Sequence, residues 1–360
     1  MYKFLLIEDS ASDIDAFETS IKRLNAEEMR YQLETASSYE EGLAKVNGTY
    51  NGVIVDINFD GDDENDGNTL IREIVKQFRI PVAIFTGTPA DQDDGSPIRV
   101  FKKGEVLHDD IIHELCAVSD TGLFKVLSGT GEIEKLMTKV FWDNLYPQIS
   151  LWKAKKAVGI DTEKILLRYA ISHIQELIDD DLPAYVTEEM YICPPIDSII
   201  KTGSIVQNKE NNTYYIVLSP PCDLAMHNGT AKSDCVLVCE IENQDDVHSK
   251  ILTNNPPKKD ADKVKRIKPA LNNNHTAYYH WLPKNSLFCG GYINFRKATS
   301  YTRDAFVDSF SSPVLKIQEG FVKSILGRFS AYYARQGQPD FDFDAEAAEI
   351  IAKLPVPTGS

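Results

Sequence analysis

The residues best suited to chemistry lie in the first third of the chain, each at the end of a short apolar run. They are the acids Glu8, Asp9 and Asp56, the hydroxyl of Thr86 and the lysines Lys102 and Lys103. Three carboxylates in one place repel each other strongly unless a cation lies among them, and Mg²⁺ selects oxygen-only ligands. A lysine and a hydroxyl beside them would neutralise and hydrogen-bond the oxygens of a phosphoryl group. These residue types therefore indicate a magnesium site that handles phosphoryl groups.

These side chains meet only if the apolar runs that precede them lie side by side as parallel strands. The first 120 residues alternate short apolar runs with segments of helical period, which is typical of a parallel sheet wrapped by helices. The predicted strands are 3–8, 31–36, 52–57, 80–86 and 98–102, and the helices between them are 12–26, 38–47 and 68–78. In a doubly wound sheet of this kind, ligands bind beyond the carboxyl ends of the strands. The pattern thus places the acids, the hydroxyl and the lysines at one edge.

With these residues in this register, residues 1 to about 120 resemble the receiver domain of bacterial two-component response regulators. The resemblance implies a flavodoxin-like fold, a Mg²⁺ cofactor, and a phosphoryl group accepted on an aspartate from a histidine kinase or phosphotransfer protein. It also implies a role for each matching position of this sequence. Glu8 and Asp9 match the acidic pair that binds metal, Asp56 matches the phospho-acceptor, Asn58 matches the residue whose backbone carbonyl binds metal, Thr86 and Phe101 match the switch residues, and Lys103 matches the family lysine. Lys103 is favoured over Lys102 because a glycine follows it.

The sequence departs from the family pattern in two places. The loop after Asp56 is longer and more acidic than usual, with extra acids at 60–66. Its opening resembles that of a calcium-binding loop, but Gly67 stands where the closing glutamate should be, so a calcium loop is not favoured. The stretch 88–97 contains two prolines and almost no apolar residue, so it can hardly form a full fourth helix. Whether phosphorylation drives dimerisation therefore stays open.

The rest of the chain changes character twice, which predicts three domains. After a receiver at 1–122, the pattern is helical to about residue 182, which predicts a connector at 123–182. A mainly β (α+β) domain at 183–350 follows. Its predicted elements are strands that begin near residues 204, 214, 235, 277 and 291, a hairpin over 203–224, and a last helix over 313–334.

The C-terminal domain offers weaker candidates for chemistry. A Pro-Pro turn presents Cys222 and Asp223, which we take as a possible site. Cys222, His227, Cys235 and Cys239 are soft enough to bind zinc, but no Cys-x-x-Cys motif appears, and core thiols are favoured. A basic stretch at 258–268 is interpreted as a solvated hairpin, with contact to phosphates or to the acidic receiver as the alternative. No helix-turn-helix pattern follows the receiver, so DNA binding is not supported.

Composition limits the remaining classes of function. The 360 residues (40.4 kDa) carry a formal charge of −16, and residues 1–125 alone carry −13, with 25 acids against 12 bases. So acidic a chain is not built as a whole to hold nucleic acid or an anionic membrane. No apolar run approaches the roughly 18 to 20 residues of a membrane span. The six cysteines, without dense pairing, fit reduced thiols, so a cytoplasmic location is expected.

These observations favour a phospho-accepting response regulator that acts through a non-DNA-binding output or scaffold domain and a downstream protein partner. One alternative is a hydrolase or nuclease in the C-terminal domain that the receiver switches. Another is a phosphate-sink receiver in a defence-type two-component pathway. The only enzymatic chemistry that the residues support is phosphorylation and dephosphorylation of the receiver itself.

Overall fold

The structure of the protein is a computed structural model, and it describes residues 1–27, 30–58, 66–89, 97–179, 185–227, 230–253, 259–335 and 341–353. The chain forms two compact units, Met1–Leu182 and Pro183–Ser360. A further separation of the first unit into a receiver at 1–122 and a connector at 123–182 stays a prediction. Residues 60–65 of the acidic loop and most of the proline-containing stretch at 88–97 lie outside the described residues.

The first unit contains a five-stranded sheet in which every pair of neighbours is parallel. Its strands are β1 (Tyr2–Ile7), β2 (Tyr31–Ala36), β3 (Gly52–Val55), β4 (Val82–Thr86) and β5 (Arg99–Lys102), in the order β2-β1-β3-β4-β5. The order reverses direction beside β1, which makes this a doubly wound sheet of flavodoxin type and places the switch point between β1 and β3. The predicted fold class is confirmed.

Helices cover both faces of this sheet because their apolar residues recur at helical spacing. They are α1 (Ala11–Glu27), α2 (Tyr39–Lys45), α3 (Asp66–Gln77) and α4 (His108–Asp120). Phe17 and Ile21 of α1 pack with Phe4 and Leu6 on one face, and α3 contributes Leu70, Ile71 and Ile74 to the other. The two faces thus have separate apolar cores, and the polar strand ends lie between them.

Gly67 allows α3 to start close to the end of β3. A Cβ at this position would lie 2.3 Å from the Cα of Ile57 and 2.5 Å from the carbonyl oxygen of Asp56. Any other residue would therefore push α3 away from the strand end that carries Asp56. The glycine that argued against a calcium loop in the sequence is here a requirement of packing.

The rest of the first unit is helical, as the sequence predicts. The helices are α5 (Leu123–Leu127), α6 (Glu132–Val140), α7 (Ile149–Ala157) and α8 (Thr162–Asp179), with a π-helical turn at Phe141–Leu145 and a 3-10 turn at Tyr146–Gln148 between α6 and α7. Large apolar side chains of this region, among them Trp142 and Leu167, are exposed.

The second unit is built on an antiparallel sheet of seven strands. The strands of this unit are β6 (Tyr191–Ile192), β7 (Ser204–Gln207), β8 (Tyr214–Val217), β9 (Met226–His227), β10 (Thr230–Ala231), β11 (Cys235–Glu242), β12 (Tyr279–Leu282), β13 (Gly291–Thr302) and β14 (Leu315–Ile317). The order is β12-β13-β11-β8-β7-β14-β6, with β9 and β10 as a separate pair. The predicted hairpin is present as the antiparallel pair of β7 and β8. The mainly β character is confirmed.

The helices of the second unit correct two sequence predictions. They are α9 (Pro221–Leu224), α10 (Gln244–Thr253), α11 (Asp260–Leu271), α12 (Arg303–Ser309), α13 (Glu319–Tyr333) and α14 (Phe343–Ala352). The hairpin predicted at 258–268 is wrong, because the alternating acids and lysines pair along helix α11, as in Lys263 with Asp260. The last helix does not begin at 313, since Leu315 and Ile317 are buried in β14 between β7 and β6.

None of the helices in the described part of the chain is both long enough and apolar enough to span a membrane.

Candidate phosphoryl-transfer site

The ends of β1 and β3 place three carboxylates together at the switch point of the parallel sheet. Glu8 and Asp9 follow β1, and Asp56 follows β3, where its backbone N–H donates to the carbonyl of Ile7 at 3.0 Å. One carboxylate oxygen from each of these three acids lies within 4.8 Å of those of the other two. Glu8 and Asp56 are buried and Asp9 is half-buried. The sequence predicted this cluster from the strand ends alone.

Lys103 links this cluster to the end of β5. Its Nζ donates to Oε2 of Glu8 and to Oδ2 of Asp56, each at 2.7 Å. The Lys103 side chain is 22% exposed, against 1% for Glu8, so within this mostly buried cluster the lysine is more accessible to solvent than Glu8. Lys102 points elsewhere and pairs with Glu105 on the surface. Of the two lysines in the sequence, Lys103 is the one that the fold brings to the carboxylates.

The same ammonium has a third partner, Asp13, which the sequence reasoning missed. Nζ of Lys103 donates to Oδ2 of Asp13 at 2.7 Å, from the first turn of α1. The signal was present, because an acid in the first turn after a strand lies above the end of that strand. Asp13 is not itself at a strand end, so a search of strand ends does not select it.

Burial and charge act in opposite directions on the two central groups. Burial raises the pKa of Glu8 to about 7, and the neighbouring Asp56 adds to the rise, while the hydrogen bond from Lys103 opposes it. Burial would lower the pKa of Lys103, but hydrogen bonds to Asp13, Asp56 and Glu8 outweigh it and raise that pKa. The ammonium is therefore firmly protonated, and one lysine does not fully compensate the acids around it.

The remaining predicted residues surround the cluster. Thr86 is fully buried at the end of β4, its carbonyl accepts from the N–H of Lys103 at 2.9 Å, and its Oγ1 accepts from the N–H of Thr88 at 3.3 Å. The N–H of Asn58 donates to Oδ1 of Asp56 at 3.2 Å. Phe101 is buried in the core below β5. The fold thus brings Thr86 and Asn58 to this edge of the sheet, whereas the Phe101 side chain lies in the apolar core.

The donor set fits a hard divalent cation. It consists of carboxylate oxygens, and Mg²⁺ prefers one or two carboxylates together with waters or phosphate oxygens. Burial is the main cause of the raised pKa of Glu8, and the negative charge of Asp56 adds to it. A divalent cation at Glu8, Asp9 and Asp56 would supply positive charge there and favour the ionised form of Glu8.

The C-terminal candidates are not brought together in the same way. Cys222 and Asp223 lie in the one-turn helix α9, where the Cys222 thiol is exposed and donates to the Asp223 carboxylate at 3.6 Å. Cys239 is buried in the sheet core, and its thiol donates to the carbonyl of Asn294 at 3.0 Å. Within the described residues, the acids at Glu8, Asp9 and Asp56 are the group whose ligand atoms come close enough for a metal. The side chain of His227 lies outside them.

The second unit has its own buried acid, Glu242 at the end of β11. Its carboxylate accepts from the Tyr279 hydroxyl at 2.6 Å, from Nδ2 of Asn294 at 2.8 Å and from Nζ of Lys297 at 2.9 Å. The side chain is 10% exposed. Burial by itself would raise its pKa, but these three donors lower the pKa to about 2. No sequence pattern predicts this network, because its members are far apart along the chain.

Solved structures similar to this chain are receiver domains, and they match about a third of it. A CheY-like receiver domain protein from Methanospirillum hungatei JF-1 is 20% identical, covers 34% of this chain and 95% of its own, with a TM-score of 0.26. A receiver domain protein from Clostridium thermocellum is 21% identical, covers 34% and 96%, with a TM-score of 0.28. The receiver domain of the Francisella response regulator 1452 is 18% identical, covers 35% and 98%, with a TM-score of 0.25.

The C-terminal part of the chain has no counterpart among these structures. A comparison with known protein families and a comparison with curated proteins each find no match.

Proposed function

We propose that this protein is a two-component response regulator whose Asp56 accepts a phosphoryl group from a histidine kinase or a phosphotransfer protein. The observation that carries the proposal is the contact of one ammonium, Lys103 Nζ, with both Glu8 and Asp56 at 2.7 Å, beside the half-buried Asp9. A structural ion pair needs one acid for one lysine. Here several acids gather at the ligand-binding edge of the sheet, which is the arrangement of a site.

In the proposed reaction, a carboxylate oxygen of Asp56 attacks the phosphorus of a phosphohistidine donor. The new O–P bond forms as the P–N bond breaks, and the electron pair leaves with the imidazole nitrogen of the donor. In this proposal Lys103 neutralises charge on the transferred oxygens, and the Thr86 hydroxyl donates a hydrogen bond to one of them. Glu8, Asp9, Asp56 and the carbonyl of Asn58 would hold Mg²⁺. When bound, the ion supplies charge neutralisation at the phosphoryl oxygens.

Six free cysteines support a reducing, cytoplasmic location for this reaction. The signal would pass through Thr86 and Phe101 to a downstream protein partner, with the second unit as output or scaffold. Two alternatives from the sequence stay predictions. One is a phosphate sink, and the other is a receiver-controlled hydrolase or nuclease at Cys222 and Asp223. The hydrolase or nuclease alternative has little support, because no contact among the described residues joins a histidine to the Cys222 thiol.

The test is phosphorylation by a small phosphoryl donor. Purified protein is incubated with acetyl phosphate and Mg²⁺, and the intact mass is measured. We expect one added phosphoryl group on the wild type, none on Asp56→Asn, and none when a chelator removes the metal. Asp110→Asn removes an exposed acid of α4 and is the matched control, with unchanged phosphorylation.

The proposal fails if Asp56→Asn gains the same mass as the wild type, or if a phosphorylated peptide maps to another residue. Reconstitution with the cognate kinase separates regulator from sink: a sink loses its phosphoryl group quickly and changes no output.

A further inference from the structure

Helix α14 exposes an apolar stripe that no other described residue covers. Phe343, Ile350 and Ile351 recur at i, i+7 and i+8 and are each at least 60% exposed. Every described residue from 341 to 353 is exposed. A ten-residue amphipathic helix is marginal in water unless its apolar face packs against something.

Acidic residues flank this apolar stripe. At about 100° per residue, Asp344 lies beside Ile351 and Glu346 lies beside Ile350 on the helix surface. Asp342 caps the first turn by accepting from the N–H of Ala345 at 3.0 Å, and the single base, Lys353, pairs with Glu349. Residues 341–353 therefore carry a formal charge of −3. A surface that receives this helix should combine an apolar floor with a basic rim.

Such a surface exists in the same unit, in a groove of about 690 Å³ beside helix α13. Its floor and walls are apolar and include Ile199, Met226 and Leu326, of which Ile199 and Met226 are more than 60% exposed. Its lining carries three lysines, Lys201, Lys316 and Lys323, and one acid, Glu319. Lys323 pairs with Glu319, and Lys201 pairs with Asp197 beside the groove. The volume lies in the usual range of a binding site, and the charge is opposite to that of α14.

The groove is a fixed feature of the fold because α13 runs close over a glycine. Gly203 has φ +84°, and a Cβ there would lie 2.4 Å from Cγ2 of Val322 in α13. Val322 and Ile317 line the groove and are buried in the core. The surface is therefore already shaped for a ligand, with little ordering needed on binding.

Among the described residues of one chain, none covers the helix or fills the groove. We propose that α14 of one chain docks in the groove of a second copy, and that a reciprocal exchange of the two helices makes a dimer. The mode is helix-in-groove recognition, with Phe343, Ile350 and Ile351 as apolar anchors and the three lysines facing the acids. The exchange is isologous, so it closes at two copies.

The test begins with sedimentation velocity of the full chain and of a chain that ends after Gln338. We expect a dimer for the first and a monomer for the second. Met226→Asp in the groove and Ile350→Asp on the helix should each weaken dimerisation by roughly tenfold to hundredfold, because each places a charge in an apolar contact. Val264→Asp, at an equally exposed apolar residue of α11, is the matched control and should leave the dimer intact.

A mixing experiment identifies which chain supplies the helix. The Met226→Asp chain keeps the wild-type helix α14, and the Ile350→Asp chain keeps the wild-type groove. The mixture should therefore form heterodimers although neither variant dimerises alone. A labelled peptide of residues 341–353 should bind the truncated chain, more weakly as salt rises.

A wild-type chain that is monomeric at every concentration overturns the proposal, and so does a truncated chain that still dimerises. A mixture that stays monomeric, with a dimeric wild type, excludes exchange of α14. If the peptide fails to bind while a fatty acid such as laurate does, the groove is a site for small amphiphiles and the dimer proposal is wrong.

Discussion

Each unit of the protein buries one glutamate at the end of a strand, and the two glutamates are held in opposite ways. Glu242 has four donors: Tyr279, Asn294, Lys250, and Lys297, which it shares with Glu240. The hydrogen bonds from Tyr279, Asn294 and Lys297 lower its pKa to about 2. Glu8 has the ammonium of Lys103 and the N–H of Ser10, but it shares Lys103 with Asp56, and burial raises its pKa to about 7. The first carboxylate is fully satisfied, while the second is short of positive charge.

This difference separates a structural network from a site. Donors that converge on Glu242 hold strands β11, β12 and β13 together, and nothing further is needed there. The acids around Lys103 outnumber the one cation available to them, so a ligand with positive charge is favoured. Burial of an acid alone therefore does not indicate a functional site. The number of positive charges and donors around it, compared with the number of acids, is more informative.

The same substitution in both units tests the comparison most strongly. Glu242→Gln leaves Lys297 and Asn294 facing an amide, and it should lower the free energy of unfolding of the second unit by about 2 kcal/mol. At about pH 5 Glu8 is protonated because burial raises its pKa, so Glu8→Gln should change the stability of the first unit by less than about 0.5 kcal/mol in metal-free buffer. Hydrogen exchange of the β11 and β1 amides reads the two units separately. Equal losses in both units would contradict the distinction.

Magnesium should act on one unit only. At a concentration about tenfold above its dissociation constant, Mg²⁺ should stabilise the first unit by about 1.4 kcal/mol, since it binds the folded site and not the unfolded chain. The effect should disappear in Glu8→Gln and persist in Glu242→Gln. A thermal melt with and without chelator measures it, and a shift that survives in Glu8→Gln would place the metal elsewhere.

The pH response of the two glutamates should have opposite signs. The pKa of Glu8 is raised from 4.5 to about 7, so its contribution to stability is complete below 4.5 and is lost as the pH rises through 7. The pKa of Glu242 is lowered from 4.5, so its contribution is present above 4.5 and is lost as the pH falls toward 2. With allowance for solvent screening, each contribution is roughly 1 kcal/mol.

Unfolding of the wild type and of the two Gln variants at several pH values isolates these contributions. The difference between wild type and Glu8→Gln should grow between pH 4.5 and 8, and that for Glu242→Gln should shrink below pH 4.5. Parallel curves for both variants would show that the two acids do not differ as described.

The sequence predicted the candidate site better than it predicted the second unit. Glu8 and Asp56 were found because a strand end in a parallel sheet is a local feature with a known position. Helix α11 was missed because lysines alternating with acids and flanked by prolines and asparagines resemble a loop, and pairing of Lys263 with Asp260 becomes evident only on a helix. The helical spacing of Val314 and Ile317 predicts a helix from residue 313, but pairing with β7 and β6 makes residues 315–317 the strand β14.

By itself, the sequence determined the parallel sheet, the residues at its strand ends and the acidity of the first third, since each follows from periodicity or composition over short stretches. Only the tertiary structure decided which lysine reaches the acids, that Asp13 joins them, and that Glu242 meets Tyr279 and Asn294. Those contacts join residues 37 to 95 positions apart. Their distances and desolvation depend on how whole elements pack, and local sequence does not carry that information.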